Sequence, residues 1–378
     1  MINNFLRKGA VLLLGSLLLL SPALALGDED DDSWTRTTFV NCGDPHASIQ
    51  RAVDKLTDRR GDRPATIVIR GSCTEDVTIK RDDLTLDGET LVDGGTVHGT
   101  ITVLGARGVV IKGLTITGSG AGVVGTDNAA FTVEDSFLHH NDTDGIVVDN
   151  GAYATIARNT IAHNGQVALP DRGRGIDVKN GASAQITKNT IEDNRSDGIG
   201  VYNDAFANVR ENLIQRNGRG SPVFEAGIQL SRARVRANGN IIRDNGYAAI
   251  EVANDGSYRT GSFLSSEDQP DNEFPFEQIE GVGPGKVAVD VAQASYVDLR
   301  QVNVKGSVVV GTQSMLQVRG DNVGPNLQCS TIDTTGGFFQ VSRFNGLLRL
   351  RTVNITPPGS IVFGPGTNGQ IDGGTVCP

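Results

Sequence analysis

Apolar and polar residues alternate with period two in runs of three to five, a pattern of short strands rather than helices. In the central third the alternation repeats as a unit. GIVVDN from Gly145, GIDVKN from Gly175, GIGVYN from Gly198, GIQLSR from Gly227 and AIEVAN from Ala249 line up, with GVVGTD from Gly122 as a weaker first member. The steps are 23, 30, 23, 29 and 22 residues, so the unit is 22–23 residues with two insertions. A second phrase, N-x-I-x-x-N, occupies 159–164, 189–194, 212–217 and 240–245, and 136–141 is a variant that begins with Ser136. The extra residues fall at 165–174 and 218–226, between the second Asn and the next Gly, where a surface loop leaves the register intact.

Identical residue types recur at one phase in every unit. Ile146, Ile176, Ile199, Ile228 and Ile250 form one column; Val148, Val178, Val201, Leu230 and Val252 form the next; Leu138, Ile161, Ile191, Ile214 and Ile242 form a third. Such columns imply that unit stacks on unit, each strand pairing with its counterpart at ~4.8 Å. The Asn columns then become side-chain amide ladders at turns, each amide satisfying the next. A stack has open strand edges at its ends, which invite aggregation. Ile49, Ala52, Val53 and Leu56 follow i, i+3, i+4, i+7 spacing and predict an amphipathic helix placed to cover the N-terminal end. Residues 255–285 break the pattern and read as a long loop or an insertion between two blocks.

Composition agrees. Glycine makes up 48 of 378 residues and aromatic residues only 5%, which argues against a helical bundle, since each interior helix glycine costs about 1 kcal/mol. The net charge of −10 makes nucleic acid a poor partner, because phosphate binding needs a basic face.

Residues 1–25 read as a secretory signal: Arg7 and Lys8, an apolar run from Val11 to Leu20, then Ala23-Leu24-Ala25 as a small-residue cleavage site. The apolar run is shorter than the ~20 residues of a membrane span, so a secreted or periplasmic protein with no span after signal removal is expected. Residues 26–40 read as an acidic, disordered tail and 41–378 as one folded domain. Four cysteines suit an exported protein. Cys42 with Cys73, and Cys329 with Cys377, are expected to form one clamp at each end.

The GIxVxN…ATIxxNTIxxN unit resembles the coil repeat of right-handed parallel β-helix proteins of the pectate-lyase-like superfamily, clearly over 122–254 and more weakly over 66–121 and 286–376. The fold this implies is all-β, a single right-handed parallel β-helix of about twelve coils with an N-terminal capping helix.

Several local motifs lead nowhere by themselves. GAGVVG from Gly120 has no helix pattern after it. Asp44-Pro45-His46 resembles the Asp-Pro-His motif of alginate epimerases but sits before the helix and not on a coil. NDTDGI, 141–146, resembles a polygalacturonase segment, yet that family's other signatures are missing and D-G-I recurs at Asp197, which favours a repeated turn. The Arg-x-Pro-x-x-Arg phrase of pectate lyases is absent. His140, His163 and Asp193 share a phase and read as a surface column near a turn rather than a metal site. No calcium nonapeptide is present, so no cofactor is expected and calcium dependence stays open.

The resemblance places active sites on the face of the GIxV strand, beside the variable loops. Alternation points Val147, Asp177, Gly200, Gln229 and Glu251 outward in one column, and Asp149, Lys179, Tyr202, Ser231 and Ala253 in a second. Arg172, Arg174, Arg195, Asp171 and Glu225 would rim that face. β-Elimination or C5 epimerisation of a uronic acid needs a carboxylate neutraliser, a base and an acid. Arg172 or Arg174, Lys179 and Tyr202 are candidates, with Asp177 orienting Lys179, and Gln229 and Glu251 contacting substrate. An inverting hydrolase would instead need two carboxylates ~6.5–9.5 Å apart, for which Asp149 and Asp177 are the candidates. A solvated face of mixed charge is the competing reading. The expected partner is an extracellular polysaccharide, bound or modified by a lyase or epimerase, by a hydrolase, or by a non-catalytic binding, adhesive or envelope-structural protein.

Overall fold

The computed structural model describes residues 36–57, 63–89, 94–167, 172–218, 225–260, 277–283, 285–300 and 302–310, and eight further strands between Met315 and Asp372. Every strand-to-strand ladder joins parallel neighbours one coil apart, in three sheets. In the central coils the first sheet stacks Ile146–Val148, Ile176–Lys179, Ile199–Tyr202, Ala226–Ser231 and Ala248–Ala253. The second stacks Tyr153–Ala157, Ser183–Thr187, Phe206–Arg210, Arg234–Asn238 and Ser257–Thr260. The third stacks Thr160–Ala162, Thr190–Glu192, Leu213–Gln215, Ile241–Arg243 and Glu277–Gly281. The chain visits the sheets in that order in every coil. The second sheet contains fourteen strands among the described residues.

The isoleucine and valine columns point inward, and every one of their members is fully buried. Each coil turns three corners on residues with left-handed backbone: Asn150, Asn180 and Asn203 at one, Arg158, Lys188 and Glu211 at the second, His163, Asp193 and Arg216 at the third. Asn and Asp tolerate this conformation best. Charged residues at the other two corners show that stacking overrides the local preference.

The glycine that opens each unit is required by close approach. A Cβ on Gly198 would lie 2.7 Å from the Gly227 carbonyl oxygen and from an Ile214 methyl.

Both Asn ladders form. Asn159 Nδ2 donates to Asn189 Oδ1 at 3.0 Å, Asn189 to Asn212 at 3.0 Å and Asn212 to Asn240 at 2.9 Å. The second ladder runs Asn141, Asn164, Asn194, Asn217, Asn245 with steps of 2.8–3.1 Å. From Asn189 and Asn164 onward each Oδ1 also accepts the backbone N–H of the preceding Asn, whereas the buried Oδ1 of Asn141, which starts the second ladder, has no hydrogen-bond partner among the described residues. The first ladder ends on a carboxyl group: Glu277 accepts from both Asn240 nitrogens and from the Tyr258 hydroxyl, and is 1% exposed.

The helix Ile49–Thr57 buries Ile49, Ala52, Val53 and Leu56 in the continuous core, beside the first strands. Ser48 Oγ accepts from the Arg51 N–H, and Glu75 accepts from the Ile49 and Gln50 N–H groups, so the helix start is satisfied. Cys42 and Cys73 form a disulfide next to it. Cys329, Cys377, the signal segment 1–25 and residues 26–35 lie outside the described residues.

Two boundaries are corrected. Residues 36–40, assigned to the tail, belong to the strand Arg36–Asn41, which pairs with Ala65–Arg70 and buries Val40 opposite Ile69. The interruption 255–285 contains the strands Ser257–Thr260 and Glu277–Gly281, so the coil pattern continues on both sides of 261–276, which lie outside the described residues. Alternation there is masked by polar residues such as Glu277 that occupy inward positions.

Candidate functional site

Strand register fixes the outward column of the first sheet. Val147 lies opposite Asp177, then Gly200, Gln229, Glu251 and Asp290 follow in register. The next outward column runs Lys179, Tyr202, Ser231, Ala253. Both sequence columns are therefore present, with Asp290 extending the first by one coil. Asp149 is the exception. The strand ends at Val148, and Asp149 Oδ1 accepts the Asn150 N–H at 2.7 Å and Asn180 Nδ2 at 2.7 Å, which places it at the turn.

A buried ionic network spreads across these coils. Asp144 is fully buried and accepts the Gly173 and Arg174 N–H groups at 2.9 and 2.8 Å, and its other oxygen pairs with Arg172 at 3.2 Å. Two coils on, Asp197 repeats the pattern. It accepts the Ala226 N–H at 2.8 Å, Arg174 Nε at 3.2 Å and the Tyr202 hydroxyl at 3.1 Å. The Arg174 guanidinium lies 4.7 Å from the centre of the Tyr202 ring, and both fill the space above Gly200, where a Cβ would lie 2.4 Å from the ring. Tyr202 Oη approaches Gln229 Oε1 at 2.5 Å, and Gln229 Nε2 donates to Glu251 at 3.0 Å. Lys179 Nζ donates to Asp177 Oδ2 at 2.5 Å, with Arg174 4.0 Å away. The other Asp177 oxygen is buried and has no hydrogen-bond partner among the described residues.

Burial and like charge set the protonation of this face. Burial pushes Glu251 up to about 7, with Asp197, Asp290 and Glu225 adding to the shift and Gln229 opposing it. Glu225, whose carboxylate accepts from Ser196 Oγ at 2.6 Å, is also pushed to about 7 by burial and by Asp197. Burial also raises Asp197, against the pull of Arg174. Burial and Asp197 drive the Tyr202 phenol well above its usual range, so it is a proton donor at neutral pH. Burial disfavours the Arg174 charge, but Tyr202 and three carboxylates more than restore it.

Of the residues singled out in the sequence, Arg172, Arg174, Asp177, Lys179, Tyr202, Gln229 and Glu251 are brought together. Arg195 is not in this network. It lines a separate cavity of about 360 Å³ with His140, His163 and Asp193. Asp171 lies outside the described residues. Sequence reasoning treated Asp144 and Asp197 as turn acids only; both do hold the next coil's backbone, and both also ion-pair with the arginines. His140 and His163 stack at 5.2 Å, and no group of three or more His, Cys, Asp or Glu among the described residues is arranged to hold a metal ion. No described helix is long and apolar enough to cross a membrane.

Residues 99–263 match the family described as the right handed beta helix region. The enzymatically active domain of bacteriophage CBA120 tailspike protein 2 superposes with a TM-score of 0.52 at 10% identity, over 77% of this chain and 48% of that one. A pectate lyase gives 0.46 at 12% identity over 75% and 80% of the two chains. The A-module of the mannuronan C-5 epimerase of Azotobacter vinelandii gives 0.47 at 14% identity over 90% and 100%. No curated protein matches the sequence. The 22–23-residue repeat, the three parallel sheets of the described residues and the match over residues 99–263 show the right-handed parallel β-helix fold.

Proposed function

We propose that this is an exported protein that binds or modifies an extracellular polysaccharide on the outer face of its first sheet. The observation that carries this reading is the buried ionic network. Asp144, Asp197 and Asp177 are each at most 1% exposed and Arg174 is 8% exposed, on a face that continues through Gln229, Glu251 and Asp290 in the column of Asp177. Buried charges are costly to keep, and groups with strongly shifted protonation gather at functional sites. A ladder of hydrogen-bonding groups, one per coil, suits a ligand that is itself a repeating polymer.

Uronate lyase or epimerase chemistry is the enzymatic form that fits these side chains best. Arg172, whose side chain is 44% exposed, and Lys179 would neutralise the uronate carboxylate. Glu251, ionising near 7, has the basicity to take the C5 proton. In elimination the C4–O bond then breaks, and its electron pair stays on the leaving oxygen, which takes the Tyr202 phenolic proton. Lys179, the earlier choice of base, fits neutralisation better because its ammonium donates to Asp177. A hydrolase based on Asp149 and Asp177 fits less well, since Asp149 is held in the turn.

Screening polyuronates for the unsaturated product by ultraviolet absorbance tests this. Wild type should release absorbing product, and Glu251→Gln and Tyr202→Phe should lower its rate at least a hundredfold. Retardation of wild type by the same polymers in affinity gels without product would leave binding as the function. Product release that both variants sustain in full would overturn the site.

A further inference from the structure

We propose that the outer face of the second sheet carries a separate binding surface for an acidic glycan. This rests on the glycan reading above but not on the chemistry of the first sheet. In the strand Arg234–Asn238, alternation buries Val235 and Ala237 and exposes Arg234 and Arg236. The preceding strand, Phe206–Arg210, pairs with it in register, placing Phe206 opposite Arg234 and Asn208 opposite Arg236, with Arg210 exposed beyond them. Arg232 reaches the same surface from the corner before Arg234. Four arginines thus collect on two neighbouring coils of a chain with a net charge of −10.

Three arginines elsewhere on the surface are neutralised in place. Arg158 pairs with Glu134 and Asp135, Arg216 with Glu192 and Asp193, and Arg70 with Glu89. On this face, by contrast, Arg210 donates to the Asn208 amide at 3.0 Å and Arg232 to the Asn203 amide at 2.7 Å. Arg234 makes no ion pair among the described residues. The Arg236 guanidinium sits 5.7 Å from the centre of the half-buried Phe206 ring, which holds the fork in place at little entropic cost. The surface is also concave. A cavity of about 470 Å³ is lined by Phe206, Arg232, Arg234, Asp204, Asp255 and Ser257.

The chemistry of the lining selects the ligand. Guanidinium forks take carboxylate or sulfate groups bidentately. Asp204 and Asp255 beside the arginines can accept hydrogen bonds from sugar hydroxyls, which a glycan presents along its whole length and a duplex nucleic-acid backbone does not. Phe206 offers an apolar face to a sugar ring. Coils repeat at ~4.8 Å, so a polymer running across them meets arginines from successive coils.

Affinity gels containing polygalacturonate, heparin, neutral dextran or duplex DNA test the surface on the full chain. Polygalacturonate or heparin should retard wild type while dextran does not, and whichever retards it more identifies carboxylate or sulfate as the recognised group. The double variant Arg234→Ala, Arg236→Ala should weaken binding at least tenfold with an unchanged thermal melt. The Arg→Gln pair, which keeps the packing stems, should do the same. Arg158→Gln, which removes an arginine already paired with Glu134 and Asp135, should bind as wild type. Undiminished binding by both double variants, retardation by DNA equal to that by either glycan, no retardation by either acidic glycan, or an equal loss of binding in Arg158→Gln would each overturn the proposal.

Discussion

The carboxyl group at the end of the first Asn ladder makes the fold sensitive to pH in a defined direction. Glu277 stands where the four preceding coils have the amides of Asn159, Asn189, Asn212 and Asn240, and burial pushes it up to about 7. Its value in the unfolded chain is about 4.3. Between those values the folded state holds a proton that the unfolded state releases, so the contribution to stability falls as pH rises. It is fully present below about 4.3 and lost above about 7. A difference of between two and three pKa units corresponds to about 3–4 kcal/mol, a large share of the 5–15 kcal/mol that holds a typical domain together. Glu277→Gln supplies an uncharged group of the same shape, with an oxygen for the Asn240 nitrogens and an amide for the Tyr258 hydroxyl to accept from. Urea denaturation of both proteins from pH 5 to pH 9 isolates this group, because Glu225 and Glu251 titrate equally in each. The variant should approach wild type at pH 5 and exceed it by about 3 kcal/mol above pH 8. A gap that is constant with pH, or that widens toward acid, would refute the reasoning.

Two other perturbations probe the stack. Asn189→Ala removes the acceptor of both Asn159 nitrogens and the donor to the Ile156 carbonyl and Asn212; with unmade buried hydrogen bonds costing about 1–3 kcal/mol each, urea denaturation should show a loss of about 3 kcal/mol, and a loss under 1 kcal/mol would mean that the ladder is dispensable. Cys73→Ser opens the disulfide to Cys42, 31 residues away, which by loop entropy should lower stability by about 4 kcal/mol, read as a lower thermal midpoint that reducing agent reproduces in wild type and does not change in the variant.

The fold was legible because it is written many times. Ile146, Ile176 and Ile199 repeat the same inward position, and any one of them would be ambiguous alone. The Asn ladders were legible for the same reason. The strands Arg36–Asn41, Ser257–Thr260 and Glu277–Gly281 were misread because none of them carries the repeat. The strand Arg36–Asn41 buries one side chain well, Val40, and Glu277 puts a carboxyl group in an amide column. The site was only partly legible. Periodicity put Asp177, Gln229 and Glu251 on one outward column and Lys179 and Tyr202 on the next. It could not show that Tyr202 folds back over Gly200, nor that Asp144 and Asp197 reach the arginines, because those contacts are set by side-chain geometry across coils. Repetition hid Asp197 in particular: the recurring D-G-I explains a turn so well that a second role leaves no trace in the sequence. Arg195 failed in the opposite way, since nearness to a loop says nothing about which side of the corner a long side chain takes.

The most direct test of the account is a crystal structure with an oligouronide bound at saturating concentration. Sugar rings should lie over Gln229 and Glu251 on the first sheet, with a uronate carboxylate between Arg172 and Lys179 and a C5 carbon facing Glu251. An oligouronide bound only elsewhere, with the first sheet bare, would contradict the claim that this face is the polysaccharide site.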